Sequence, residues 1–99
     1  MWEYRSNRSV RELKEAIQEY RRIANDYLLK QYHCEDMVRK LYRIEDRLPN
    51  NEDIIEKFYI TLDRALDRYH EAESKYTEYY NKCEQLTTAY EVLIDFVDY

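Results

Sequence analysis

The chain contains no glycine and a single proline, Pro49, among its 99 residues. Glycine supplies the left-handed backbone that tight turns and phosphate-binding loops require, and proline favours many of the other turns. Barrels, sandwiches and nucleotide-binding α/β folds need many such turns, so all three are poor candidates. The composition therefore predicts an all-α protein whose helices are interrupted at one place.

That interruption lies at residues 48–53, which read Leu-Pro-Asn-Asn-Glu-Asp. Pro49 disfavours helical backbone at the preceding residue. Asn50 or Asn51 can cap a second helix, and Glu52 and Asp53 in its first turn suit the positive end of the helix dipole. Upstream, residues 9–12 fit a capping box. We therefore expect a single helical domain over residues 1–99, with a helix over about 9–48, a turn at 49–51 and a helix over about 52–97.

Apolar residues recur with a seven-residue repeat on both sides of the turn, which is typical of helices packed as a coiled coil. In the first half the repeated positions are Val10, Leu13, Ile17, Tyr20, Ala24, Tyr27, Gln31, Cys34, Val38, Leu41, Glu45 and Leu48. In the second half they are Ile55, Phe58, Leu62, Ala65, Tyr69, Ala72, Tyr76, Tyr79, Cys83, Leu86, Tyr90, Leu93 and Val97. The repeat predicts two long antiparallel helices that form a coiled-coil-like helical hairpin.

Folding the chain back at its turn places residues whose numbers sum to about 103 opposite one another along this seam. Large residues then meet small ones, as interdigitating layers require. The pairs are Val38 with Ala65, Tyr20 with Cys83, Tyr79 with Ala24, Tyr69 with Cys34, and Gln31 with Ala72. The same register places Arg8 beside Asp95, which favours the antiparallel arrangement.

Further apolar residues widen both helical stripes beyond the seam. They are Ala16, Ile23, Leu28, Met37, Tyr42 and Ile44 in the first half, and Ile54, Tyr59, Leu66, Tyr80, Ile94 and Phe96 in the second. Wide stripes are typical of bundles of more than two helices. We expect the hairpin to dimerise into a four-helix bundle, with a different protein as the alternative partner. A three-helix bundle whose first arm bends near residues 30–36 is the alternative fold.

Tyrosine is unusually frequent, with 12 residues in the chain. Tyrosine is enriched at protein–protein interfaces because it contributes a large contact area at a low entropic cost. The tyrosines that lie off the seam, together with apolar residues on the same flank, are the candidates for such a surface. The predicted protein-binding residues are Tyr42, Tyr59, Leu66, Tyr80 and Ile94.

No catalytic, cofactor-binding or metal-binding residues are predicted. In the hairpin register Cys34 and Cys83 lie about 14 residues, or about 21 Å, apart along the seam, which is too far for a disulfide. We expect free thiols, no metal, no cofactor and no enzymatic activity. A cytoplasmic location is expected because the sequence shows no signal peptide and no transmembrane segment, with export by a non-classical system left open.

The charge of the chain bears on its partners. The second half carries 12 acidic and 5 basic residues, and the whole chain has a net charge of −5. A net negative charge disfavours nonspecific binding to nucleic acid or to anionic membranes. We expect a second copy or another protein as the partner, and no nucleic acid, membrane or small-molecule substrate.

Two short resemblances give alternative functions. Residues 64–70 read Arg-Ala-Leu-Asp-Arg-Tyr-His, and the spacing of Arg64 and His70 resembles that of HEPN-type helical ribonucleases, although the usual polar residue after the arginine is missing. That resemblance implies a phosphodiester site at a dimer groove. The predicted architecture of about 100 residues in two helices also looks like the WXG-type substrates and partner proteins of type VII secretion. The Trp-x-Gly turn of that family is absent, since the only tryptophan is Trp2.

The leading hypothesis is a small, acidic, tyrosine-rich and non-enzymatic protein–protein interaction module. An adaptor or accessory protein, such as a phage or viral inhibitor or a secretion chaperone, fits this description. A WXG-like secretion substrate or its partner, and a helical ribonuclease, are the alternatives.

Overall fold

A computed structural model describes the backbone of residues 2–97 and the side chains of residues 8–96. Within these residues it contains two long helices and no strand: α1 spans Trp2–Glu45 and α2 spans Glu52–Val97. The prediction of an all-α helical hairpin is confirmed. Neither helix has, in the residues described, a segment long and apolar enough to cross a membrane.

Helix α1 begins earlier than the capping box predicts. Residues 2–8 contain neither glycine nor proline, so nothing in them breaks the helix. Arg8 also forms an ion pair of 3.0 Å with Glu12 one turn further on, across the expected start. Arg8 thus pairs within its own helix, and its expected approach to Asp95 stays a prediction.

The turn confirms a helix cap at one of the two candidate asparagines. The backbone N–H groups of Arg47 and Leu48 donate to the carbonyls of Ile44 and Glu45, three residues back, and so tighten the end of α1 before the proline. The Asn51 side-chain oxygen accepts hydrogen bonds from the backbone N–H groups of Asp53 and Ile54, at 3.0 and 3.4 Å. Asn51 is therefore the N-cap of α2.

Helix α1 is continuous through residues 30–36, so the alternative three-helix bundle is wrong. The two acidic residues of this stretch are compatible with a helix, because each pairs with a basic residue one turn further along the helix surface. Glu35 pairs with Arg39 at 2.6 Å, and Asp36 pairs with Lys40 at 2.9 Å, each four residues apart. The same Lys40 interaction holds the pKa of Asp36 below its ordinary value.

The helix pair divides into two compact units. Unit 1 combines Met1–Asn25 with Tyr76–Tyr99, and unit 2 is Asp26–Lys75, which includes the turn. In each unit a segment of α1 packs against a segment of α2. The single domain expected over residues 1–99 stays a prediction.

Unit 2 has a core of four buried seam residues, Val38, Phe58, Leu62 and Ala65. Leu41, Leu48 and Leu66 pack against this cluster from its edges. Val38 and Ala65 lie in one cluster, as the large-to-small register requires. Burying a side chain such as Phe58 or Leu62 contributes about 1.5–3 kcal/mol to folding.

Unit 1 is held by the same kind of seam. Ile17, Ala24 and Cys83 are buried, and the Cys83 thiol donates to the carbonyl of Ile17 at 3.8 Å. The rings of Tyr20 and Tyr79 meet with their centroids 5.9 Å apart. Cys83 and Cys34 are both free thiols, and Cys34 lies in unit 2.

The seam accounts for every residue that is buried in the part of the chain described. These residues are Ile17, Ala24, Val38, Phe58, Leu62, Ala65, Ala72 and Cys83. Even so, none of the described side chains is completely buried. The core is one layer of side chains thick, and the flanks of both helices remain in contact with solvent.

Gln31 is one of two strongly polar residues, together with Glu45, in the seam of unit 2. The side-chain oxygen of Gln31 is buried and has no hydrogen-bond partner among the described residues. The register pairs this residue with Ala72, which has no side-chain donor to offer. A buried carbonyl oxygen without a donor costs about 1–3 kcal/mol.

We therefore expect Gln31→Leu to raise the free energy of unfolding by about 1–2 kcal/mol, because it removes the unsatisfied oxygen and adds an apolar seam residue. Urea denaturation followed by circular dichroism measures the change. The control is Gln18→Leu, the same substitution at an exposed position of α1, which should alter stability by less than about 0.5 kcal/mol. Equal effects of the two substitutions would contradict this interpretation of Gln31.

Candidate functional site

The five predicted binding residues share one position of the seven-residue repeat. With the seam residues at positions a and d, each of the five occupies an e position. Tyr42, Tyr59 and Leu66 belong to unit 2, whereas Tyr80 and Ile94 belong to unit 1. The structure therefore places them in two separate groups.

A groove in unit 2 shows which positions of the two helices share a side. Its volume is about 350 Å³, and Lys30 and His33 of α1 line it together with Arg68 and Glu71 of α2. These four residues occupy g and c positions of their helices. Because the g and c positions of both helices meet on this side, their e and b positions share the opposite side.

The e and b positions of unit 2 form a surface that we call the tyrosine face. At its centre are Tyr42 and Tyr59, which are 50% and 44% exposed, and the half-buried Leu66. Leu66 packs against the core, and the Tyr59 ring meets Phe58 edge-on at 5.3 Å. Tyr32, at a b position, adds a further exposed ring. The face is thus an apolar surface supported from beneath by the core.

Unit 1 contains a groove of about 600 Å³. Tyr80 lines this groove, and its ring lies 5.8 Å from that of Tyr76. The Tyr80 hydroxyl donates a hydrogen bond to the Glu84 carboxylate, which raises the pKa of Tyr80 above its ordinary value. Ile94 is half-buried in the same unit. Two neighbours therefore restrain the Tyr80 side chain.

The opposite side of unit 2 carries a second apolar group, which the sequence analysis did not assign to a site. Met37, Ile44 and Ile54 all occupy g positions and are between 42% and 50% exposed. We call the g and c positions of unit 2 the aliphatic face. The signal in the sequence was their shared heptad position, which tyrosine frequency alone does not reveal.

Counted over the helical segments 26–45 and 52–75, the two faces of unit 2 differ in charge. The tyrosine face carries five carboxylates and one arginine, a net charge of −4: Glu35, Glu52, Glu56, Asp63, Glu73 and Arg39. The aliphatic face carries six basic and two acidic residues, a net charge of +4: Lys30, Lys40, Lys57, Arg64, Arg68, Lys75, Asp26 and Glu71. Each apolar centre is therefore surrounded by a rim of one predominant sign.

The structure does not bring Arg64 and His70 together. Both side chains are exposed on α2, at c and b positions, which lie about 120° apart around the helix axis at 3.6 residues per turn. The His70 ring instead meets Tyr69 edge-on at 5.5 Å. Among the described residues, no group of three or more His, Cys, Asp or Glu side chains is arranged to hold a metal ion.

The Tyr80 interaction can be tested by titration. Replacing its acceptor with Glu84→Gln should lower the pKa of Tyr80 towards the ordinary tyrosine value, because the carboxylate no longer stabilises the protonated phenol. Carbon NMR of labelled tyrosine side chains measures this pKa. Glu91→Gln, which removes a carboxylate from the same groove, is the control and should leave the Tyr80 pKa almost unchanged. An unshifted pKa in Glu84→Gln would contradict the assigned hydrogen bond.

Comparisons with known proteins assign no family. No protein-family model matches the chain, and neither a curated protein nor a solved structure matches it. The geometry and charge of the helical faces are then the basis on which a function can be proposed.

Proposed function

We propose that the chain is a non-enzymatic protein–protein interaction module and that the tyrosine face is its binding surface. One observation carries this proposal: Tyr42 and Tyr59 are about half exposed beside Leu66, which rests on the core of unit 2. Single exposed apolar residues are normal on protein surfaces. Several on one helical face, rimmed by charged residues, are typical of an interaction site.

The exposed area of the chain supports the same proposal. The chain has an accessible surface of 8280 Å², whereas a compact monomer of its 12.4 kDa mass exposes about 6100 Å². A specific interface of ordinary size removes about 800 Å² from each partner. The surplus is therefore large enough to supply such an interface.

Tyrosine suits the binding role physically. Its ring buries a large area while its hydroxyl group stays hydrated or finds an acceptor, so it tolerates both the free and the bound state. Tyr80 in unit 1 already has such an acceptor in Glu84. Side chains that are ordered before binding lose less entropy on association. Tyr80 and Ile94 are accordingly the binding residues proposed for unit 1.

A second copy of the chain is the partner that we propose first. A two-helix unit has one seam, and a second helix pair laid on its flank would bury the exposed e positions and complete a four-helix bundle. The proposed role is that of a small adaptor or accessory protein that functions through self-association.

Leu66→Asp tests this function, because it places a charge at the centre of the tyrosine face. We expect self-association to weaken by at least about 30-fold, which corresponds to about 2 kcal/mol, since an unpaired carboxylate would be buried. The control is Ile60→Asp on the same helix, at an f position that faces away from the seam. Light scattering over a concentration series measures association, and circular dichroism checks that both variants remain helical.

Tyr59→Ala supplies a second variant, because Tyr59 is exposed and is not itself a member of the buried core cluster. It should also weaken association relative to Ile60→Asp. The proposal would be overturned if Leu66→Asp and Tyr59→Ala associate as strongly as the unmodified chain, or if Ile60→Asp is as damaging as either.

A further inference from the structure

We propose that the tyrosine face of unit 2 binds the aliphatic face of unit 2 in a second copy of the chain. This inference rests on the proposed function, because it names the surface that covers the tyrosine face. The two faces lie on opposite sides of the same helix pair and carry net charges of −4 and +4. One copy therefore presents both halves of a complementary contact.

A second copy can dock with like faces or with unlike faces in contact, and the charges of the faces favour one of these arrangements. Pairing two tyrosine faces would bring two rims of −4 together, and pairing two aliphatic faces would bring two rims of +4 together. Like charges placed opposite each other oppose association, whereas complementary potentials favour it and steer the encounter. The unlike pairing is therefore preferred.

The apolar centres also suit each other. The tyrosine face offers the flat rings of Tyr42 and Tyr59, and the aliphatic face offers Met37 beside Ile44 and Ile54. Methionine is unbranched and adapts its shape to a partner, and its sulfur makes favourable contacts with aromatic rings. The aromatic centre of the tyrosine face and the more adaptable, methionine-containing centre of the aliphatic face thus lie on opposite sides of the helix pair.

The available area is sufficient for a specific, modest interface. The helical segments of unit 2 cover residues 26–45 and 52–75, about 30–36 Å at 1.5 Å per residue. Two helices side by side then present a face of about 600 Å², so that a pair of faces buries about 1200 Å² in total. This is at the lower end of the range for specific interfaces, and the contribution of charge is correspondingly important.

Pairing of unlike faces has a consequence for assembly. A contact between two different patches is heterologous, so each added copy leaves one tyrosine face and one aliphatic face uncovered. The four-helix bundle formed by two copies is then the repeating contact of a larger assembly. Such an assembly ends only when it closes into a ring.

Two charge-reversed variants test the pairing. Glu56→Lys/Asp63→Lys/Glu73→Lys changes the tyrosine face from −4 to +2, and Lys57→Glu/Arg64→Glu/Arg68→Glu changes the aliphatic face from +4 to −2. Each variant alone has two faces of the same sign and should remain a 12.4 kDa monomer. An equimolar mixture should associate, because its faces are again complementary. Asp67→Lys, at an f position of α2, is the control and should associate like the unmodified chain.

The outcomes separate this inference from the proposed function. If the variant with the reversed aliphatic face associates normally while Leu66→Asp dissociates, the tyrosine face is still an interface and the pairing of unlike faces is wrong. If neither Leu66→Asp nor the variant with the reversed aliphatic face impairs association, both proposals fail. A mixture that remains monomeric also overturns the pairing, provided that circular dichroism shows both variants to be helical.

The salt dependence of the unmodified chain tests the pairing without any substitution. The screening length falls from about 10 Å at 0.1 M salt to about 3 Å at 1 M. Attraction between unlike rims should then weaken, and we expect the dissociation constant to rise at least about 10-fold over this range. Stronger association at high salt would indicate that like-charged faces meet, which contradicts the pairing.

Discussion

The two helices meet along one seam, and the burial of its a and d residues determines how much of each helix the fold can cover. Ala24, Ala65, Ala72 and Cys83 are among the most buried residues, and they allow the helices to approach while tyrosines and larger aliphatic residues fill the space beside them. This seam can bury only the a and d positions. The e and g positions on both flanks therefore keep their apolar side chains in contact with water, and the helix pair alone cannot cover them.

The binding surfaces follow from this limit. In unit 2, one flank combines tyrosines with carboxylates and the other combines aliphatic residues with lysines and arginines. A net charge of −5 for the whole chain conceals this division, because charges of opposite sign lie on opposite sides of the same helices. The net charge of the whole chain therefore does not predict which partners each face can bind, because a partner contacts one face at a time.

Much of the fold could be predicted from the seven-residue repeat, because a repeat of this length specifies both the helices and the side that each buries. Among the residues whose side chains are described, all eight buried ones occupy predicted seam positions, and the polar Gln31 is the one with a buried side-chain oxygen that lacks a partner. The predicted start of α1 was wrong, because a capping box allows a helix to begin at that point but does not prevent the helix from beginning earlier. The aliphatic face was not assigned to a site because frequent tyrosines drew attention to one flank. Its basic rim becomes apparent only when positions on both helices are combined.

We propose that these flanks are interfaces rather than ordinary solvated surface. The most direct test is the mass of the unmodified chain in solution, measured by light scattering over a wide concentration range. We expect the mass to increase with concentration from 12.4 kDa through a dimer of about twice that mass. A mass that stays at 12.4 kDa at every concentration would contradict it, because both faces of unit 2 would then remain in water without a second copy to cover them.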